Sequence, residues 1–118
     1  MYEIVIYTAS KKEYASNIMD FTCISNYVDR KFCIDYCEAV NNNQYIKNLN
    51  IIMPDLSEIL STGYFYTNTP DNINNFIFVK AWCGVPGNTA LTDILPLLFT
   101  LSCVKDVRSI LKLHNIYY

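Results

Sequence analysis

Cysteine is the most reactive nucleophile in this chain, and it occurs at Cys23, Cys33, Cys37, Cys83 and Cys103. A thiolate can attack phosphorus when a single loop cradles the phosphate, and that cradle needs the register Cys-x-x-x-x-x-Arg. Arg30 comes a position too late for Cys23, and Arg108 a position too early for Cys103. A loop that wraps a phosphate cannot absorb such a shift, so neither pair qualifies. Zinc chemistry fails as well, because there is no Cys-x-x-Cys pair and the sole histidine, His114, lies far along the chain. Unpaired cysteines of odd number read as buried free thiols in a reducing compartment. Asp71 follows Pro70 and could offer a carboxylate, but Thr67-Asn68-Thr69-Pro70-Asp71-Asn72 is turn chemistry, in which Asp stabilises the turn. His114, near a helix end, reads as decoration of the helix dipole.

Charge and composition exclude further classes. The net charge is −2 and the basic residues are scattered, whereas a nucleic-acid surface carries a basic stripe. No apolar run approaches the roughly 18 residues that read as a membrane span. The first residues enter strand pattern directly, without a secretory leader, so an intracellular protein of cytoplasm or nucleus is expected. With 118 residues, 52% of them hydrophobic, a single domain over 1–118 with a genuine core is expected. The abundance of Tyr, Ile and Asn, including Asn41-Asn42-Asn43, fits AT-rich coding DNA such as that of a large DNA virus or an AT-rich parasite.

The elements that must position any site follow from periodicity. Glu3 to Tyr7 is a β-branched apolar run and predicts a buried strand. Ser10 and Glu13 have capping-box spacing at the start of a helix whose face is Ala15, Ile18, Met19 and Thr22. Phe32 to Glu38 and Tyr45 to Leu49 read as strands around the polar Asn41–Gln44 turn. A short helix is expected from Asp55 to Leu60, then an aromatic strand near Tyr64–Tyr66, and another strand from Phe76 to Val79. Thr89 to Leu101 predicts an apolar helix kinked at Pro96, followed by a helix through Val104, Val107, Ile110, Leu111 and His114. Strands alternating with helices predict an α/β sandwich with a mostly parallel sheet.

Several stretches, taken in order, resemble one family. These are Tyr7-Thr8-Ala9-Ser10-Lys11-Lys12-Glu13-Tyr14-Ala15, Tyr45-Ile46-Lys47-Asn48-Leu49, Asp55-Leu56-Ser57, Val79-Lys80-Ala81-Trp82-Cys83-Gly84, Thr89 to Leu98, and Asp106-Val107-Arg108-Ser109-Ile110-Leu111. Together they resemble the small C-terminal-domain phosphatases, a branch of the haloacid dehalogenase superfamily. The resemblance implies a haloacid-dehalogenase-like three-layer sandwich. In that family an Asp-x-Asp-x-Thr segment on the first strand supplies nucleophile and general acid. Magnesium is held there by the first Asp and by a late Asp-Asn-Ser-Pro motif. The chemistry requires these groups, because magnesium prefers hard carboxylate oxygens and a phospho-aspartate needs a positioned carboxylate.

The residues that match begin at the family's second strand, so the Asp-x-Asp segment has no counterpart. The late Asp aligns with Gly63 by gap-free counting, or with Thr67 if Thr67-Asn68-Thr69-Pro70 is matched instead. An Arg that the family carries before its cysteine is replaced in Cys33-Ile34-Asp35-Tyr36-Cys37. The resemblance carries over a phosphate-contacting pair, Thr8 after the second strand and Lys47 as the phosphate-orienting lysine, with an added residue between Cys37 and Lys47.

Phosphate-monoester hydrolysis requires accelerations up to the order of 10²¹, which Thr8 and Lys47 cannot supply alone. The expectation is therefore a truncated, catalytically inactive member with no catalytic residue, metal or cofactor. It would be an interaction or regulatory module, with a protein partner that can be phosphorylated, in transcription or host signalling. The family's missing central strand would leave open strand edges, which predicts a homodimer or an inserted partner strand. The alternatives are an active phosphoserine phosphatase completed by an Asp-bearing strand from another chain, and a structural subunit of a larger assembly.

Overall fold

A computed structural model of the chain describes residues 2–41, 44–63, 66–80, 84 and 86–112. Contacts divide the chain into two units, Met1–Asn48 and Leu49–Tyr118.

In the first unit, the β-branched run forms β1 (Val5–Tyr7), which pairs in parallel with β2 (Arg30–Phe32) in the register Val5↔Arg30, Ile6↔Lys31, Tyr7↔Phe32. Parallel neighbours cannot be joined by a tight turn. The crossover contains α1 (Lys12–Phe21), which buries Ala15 and Met19 from one face. The capping box expected at Ser10 does not form. Lys11 occupies the cap position without a side-chain bond, because the backbone of Ser10 is used elsewhere. Its N–H donates to Thr8 Oγ1 at 3.1 Å and its carbonyl accepts from Ile34 N–H at 3.0 Å.

Phe32 to Glu38 is likewise not one strand. A 3₁₀ turn at Ile34–Tyr36 interrupts it, and β3 (Glu38–Asn41) then pairs antiparallel with β4 (Gln44–Ile46). Tertiary bonds outweigh strand propensity here. Ile34 N–H is taken by Ser10, and the carbonyl of Tyr36 accepts the Tyr7 hydroxyl at 2.6 Å.

In the second unit, β5 (Ser61–Gly63) pairs in parallel with β6 (Phe76–Phe78). β5 ends just before the aromatic strand expected near Tyr64–Tyr66; Tyr66 is not in a strand, and residues 64 and 65 lie outside the described residues. Asp55 starts the short 3₁₀ helix Leu56–Glu58 by accepting Ser57 N–H at 3.0 Å. The turn sequence after Thr69 becomes the 3₁₀ helix Pro70–Asn75, with proline in its first turn, where the missing N–H costs no bond.

Pro96 does more than kink its helix. The stretch splits at Ile94 into α2 (Ala90–Asp93) and α3 (Leu95–Leu101), and Pro96 lies in the first turn of α3. The last expected helix is shorter than its apolar spacing suggests, being α4 (Arg108–Leu111), and His114 lies outside the described residues. Ile77, Val79, Ala90, Ile94, Leu101, Val107 and Leu111 form the core of this unit.

The α/β class therefore stands. Among the described residues the strands form three two-stranded sheets, two parallel and one antiparallel. No helix of the described residues is long and apolar enough to cross a membrane.

Candidate phosphate site

Thr8 leaves β1 while still held to its neighbour strand, its N–H donating to Phe32 O at 2.8 Å. Its hydroxyl oxygen accepts Ser10 N–H, and its carbonyl accepts the Cys37 thiol at 3.7 Å. The hydroxyl proton of Thr8 has no partner among the described residues and can donate outward. Lys47 directly follows β4, half-buried. The next residue, Asn48, gives its N–H to the Tyr7 hydroxyl at 3.4 Å. The hairpin's return and this bond bring the end of β4 to the end of β1. The structure thus places Thr8 and Lys47 in one neighbourhood, with Cys37 beside both.

The electrostatics follow from burial. Partial desolvation holds the Lys47 ammonium below the usual lysine range, with Cys37 opposing the shift. Burial pushes the Cys37 thiol up, and the Lys47 charge pulls it back in part. The Tyr7 phenol is pushed up chiefly by burial, against the hydrogen bond from Asn48. A partly desolvated cation beside a free hydroxyl donor suits an oxyanion, because charge-assisted hydrogen bonds strengthen where water is thinned out.

The other candidates are not gathered into a site. Cys23 and Cys103 are exposed. Arg30 pairs with Glu3, and the Arg108 guanidinium donates to both Asp106 oxygens at 2.9 and 2.8 Å, so neither arginine completes a thiolate cradle. Gly63 ends β5 and Thr67 is half-buried; neither supplies a carboxylate. Asp71 is exposed in the first turn of the Pro70–Asn75 helix, as its turn chemistry suggested. Among the described residues no group of three or more His, Cys, Asp or Glu side chains assembles a metal site.

Sequence reasoning missed the groups that hold this neighbourhood and its counterpart in the second unit. Tyr7, Cys37 and Asn48 tie the first. In the second, Asn72 Oδ1 accepts Leu49 N–H at 3.2 Å and the Thr69 hydroxyl at 3.0 Å. Asn75 Nδ2 donates to Leu56 O at 2.7 Å and Ile59 O at 2.9 Å. Both amides are fully buried, and they pin the segment that follows Thr67 and the nearly buried Asn68. The available signal was asparagine repeated at 3₁₀ spacing, Asn72 and Asn75, just before the apolar run Phe76-Ile77-Phe78-Val79.

Comparison with known proteins gives the family. The model of the family described as NLI interacting factor-like phosphatase matches residues 1–108. CTD nuclear envelope phosphatase 1 of Xenopus laevis is 34% identical over 115 residues, 94% of this chain and 46% of that relative. Nuclear envelope morphology protein 1 of Saccharomyces cerevisiae is 30% identical over 126 residues, 97% of this chain and 28% of that relative. CTD small phosphatase-like protein 2 of Dictyostelium discoideum is 27% identical over 112 residues, 92% of this chain and 19% of that relative. The chain spans less than half the length of these relatives.

These findings overturn the expectation of a non-enzyme. Relatives aligned over almost the whole chain are named phosphatases. The expectation rested on the Asp-x-Asp segment having no counterpart here. A chain that covers 46% or less of such relatives gives that absence no weight.

Proposed function

For a chain that belongs to the NLI interacting factor-like phosphatase family, we propose that it forms part of an active phosphate-monoester hydrolase, acting inside the cell on phosphoserine in proteins. Hydrolysis transfers the phosphoryl group to water and releases the serine hydroxyl and inorganic phosphate. Most of the protein's contribution to such a reaction is positioning and electrostatic stabilisation. Lys47 is the cation that neutralises and orients phosphoryl oxygens, and the Thr8 hydroxyl donates to another of them. Relatives named for the nuclear envelope support the intracellular reading.

The nucleophilic carboxylate comes from polypeptide outside these 118 residues, either of the same protein or of another chain. The residues described here do not fit a magnesium ion. The two positions aligned with the late carboxylate are Gly63 and Thr67, and no acidic cluster replaces them among the described residues. No step is therefore assigned to a metal held by this chain.

The observation that carries the proposal is the half-buried Lys47 ammonium, set by the hairpin beside Cys37 and the Thr8 loop. The test is hydrolysis of a phosphoserine peptide by the complete protein, with Lys47→Ala and Thr8→Ala alongside. Loss of turnover in both variants with folding retained is the expected result. Turnover unchanged in both would remove these residues from the reaction.

A further inference from the structure

The tyrosine before Thr8 makes a contact that strand geometry alone does not call for. Tyr7 lies in β1, and its ring lies 5.6 Å from that of Phe32 on the neighbouring strand, centroid to centroid. That packing needs only a phenyl group. The hydroxyl does something separate, donating to Tyr36 O at 2.6 Å and accepting Asn48 N–H at 3.4 Å. A single oxygen therefore joins three segments: the end of β1 just before Thr8, the 3₁₀ turn just before Cys37, and the backbone just after Lys47. A phenolic oxygen can donate one bond and accept others, so both contacts form together.

We infer that Tyr7 is a positioning residue for the phosphate site, its hydroxyl fixing the backbone that carries Lys47 against the turn that carries Cys37 and the loop that carries Thr8. This rests on the reading of Lys47 as the phosphate-orienting cation. Lys47 follows a two-strand hairpin, and an isolated hairpin is marginal in water. The β3–β4 ladder itself shifts register between Ala39 and Asn41, so its pairing is not regular along its length. The Asn48 side chain adds a second tie, donating to Glu38 Oε1 at 3.4 Å, but that bond lies within the hairpin's own surroundings. The bond to Tyr7 reaches across to β1. Without it, Lys47 keeps its charge and its own bridge pairing but loses the tie to β1, and small displacements of a charged group cost binding strength steeply.

The experiment compares the full chain with Tyr7→Phe, which retains the ring packing on Phe32, and with Tyr14→Phe, which removes an exposed hydroxyl from α1 as a control. Inorganic phosphate is titrated into each while the Lys47 side-chain resonances are followed, and the pH midpoint of the Lys47 amine is recorded without phosphate. The expected result is phosphate affinity about fivefold weaker in Tyr7→Phe, the worth of about one net hydrogen bond. The Lys47 midpoint should rise toward the ordinary lysine value, with Tyr14→Phe matching the parent in both. Equal affinity and equal midpoint in parent and Tyr7→Phe would overturn the inference, as would an equal loss in Tyr14→Phe. If the parent itself binds no phosphate, the phosphate-site reading fails. The midpoint then decides the role of Tyr7 alone, a rise supporting the tie and no rise refuting it.

Discussion

The Cys37 thiol donates to the carbonyl oxygen of Thr8 across 3.7 Å, while the ammonium of Lys47 acts on the same sulfur through its charge. A thiol, a strand-end loop and a half-buried cation are thus coupled in one unit of the chain. The cysteine links Thr8 to the turn that leads into the hairpin carrying Lys47.

That placement predicts an order of thiol reactivity. Cys23 and Cys103 are exposed, Cys37 is half-buried and Cys33 is buried. Burial pushes the Cys37 thiol above its ordinary value, so its thiolate forms at higher pH than that of a free thiol. Alkylation followed by mass spectrometry should label Cys23 and Cys103 first. Cys37 should react slowly near neutral pH and accelerate in alkali. Phosphate should slow Cys37 further, because a bound anion neutralises the lysine charge that favours its thiolate. Cys37 reacting as fast as Cys23 at neutral pH would contradict the geometry.

The second unit should be sensitive at Leu101. This side chain is 2% exposed and belongs to the cluster that includes Ile77, Ile94 and Val107. Leu101→Ala removes apolar burial and leaves a cavity, a loss of about 2–5 kcal/mol in a well-packed core. Chemical denaturation should show a midpoint shift of that order. For comparison, Leu91→Ala truncates a side chain that is 66% exposed and should change stability little.

Alkali should weaken the fold through Tyr66. Its pKa is raised from the ordinary 10.0 to about 12, mainly by burial and next by the nearby Asp71 carboxylate. Its hydroxyl donates to Thr69 O, so ionisation removes a donor from the segment after Asn68. The folded pKa lies above the unfolded one. The stabilisation is therefore complete below about pH 10 and is lost as pH rises toward about 12. Tyr66→Phe should flatten the alkaline unfolding curve over that window. An unchanged slope would show that other groups govern it.

Much of this was legible in the sequence, and the exceptions share a cause. The β-branched run of β1, the short helix that starts at Asp55 and a disturbance of the helix at Pro96 follow from local rules. What was not legible depends on partners distant in sequence. Ser10 looks like a helix cap until Ile34 claims its carbonyl. Phe32 to Glu38 looks like a strand until Tyr7 and Ser10 bond into its middle. Tyr7 reads as a core aromatic, and no spacing rule shows that its hydroxyl meets an amide 41 residues away. Catalytic status was misjudged for a different reason. It turns on carboxylates that the compared stretch does not contain, and chemistry cannot be read from residues outside it.

The most direct test is the steady-state hydrolysis of a phosphoserine peptide by the complete protein and by its Lys47→Ala variant. The parent should turn the peptide over. In the variant kcat should fall by about 10²–10³, the effect of removing one preorganised electrostatic stabiliser. An inactive complete protein, or a Lys47→Ala variant as active as its parent, would contradict this reading.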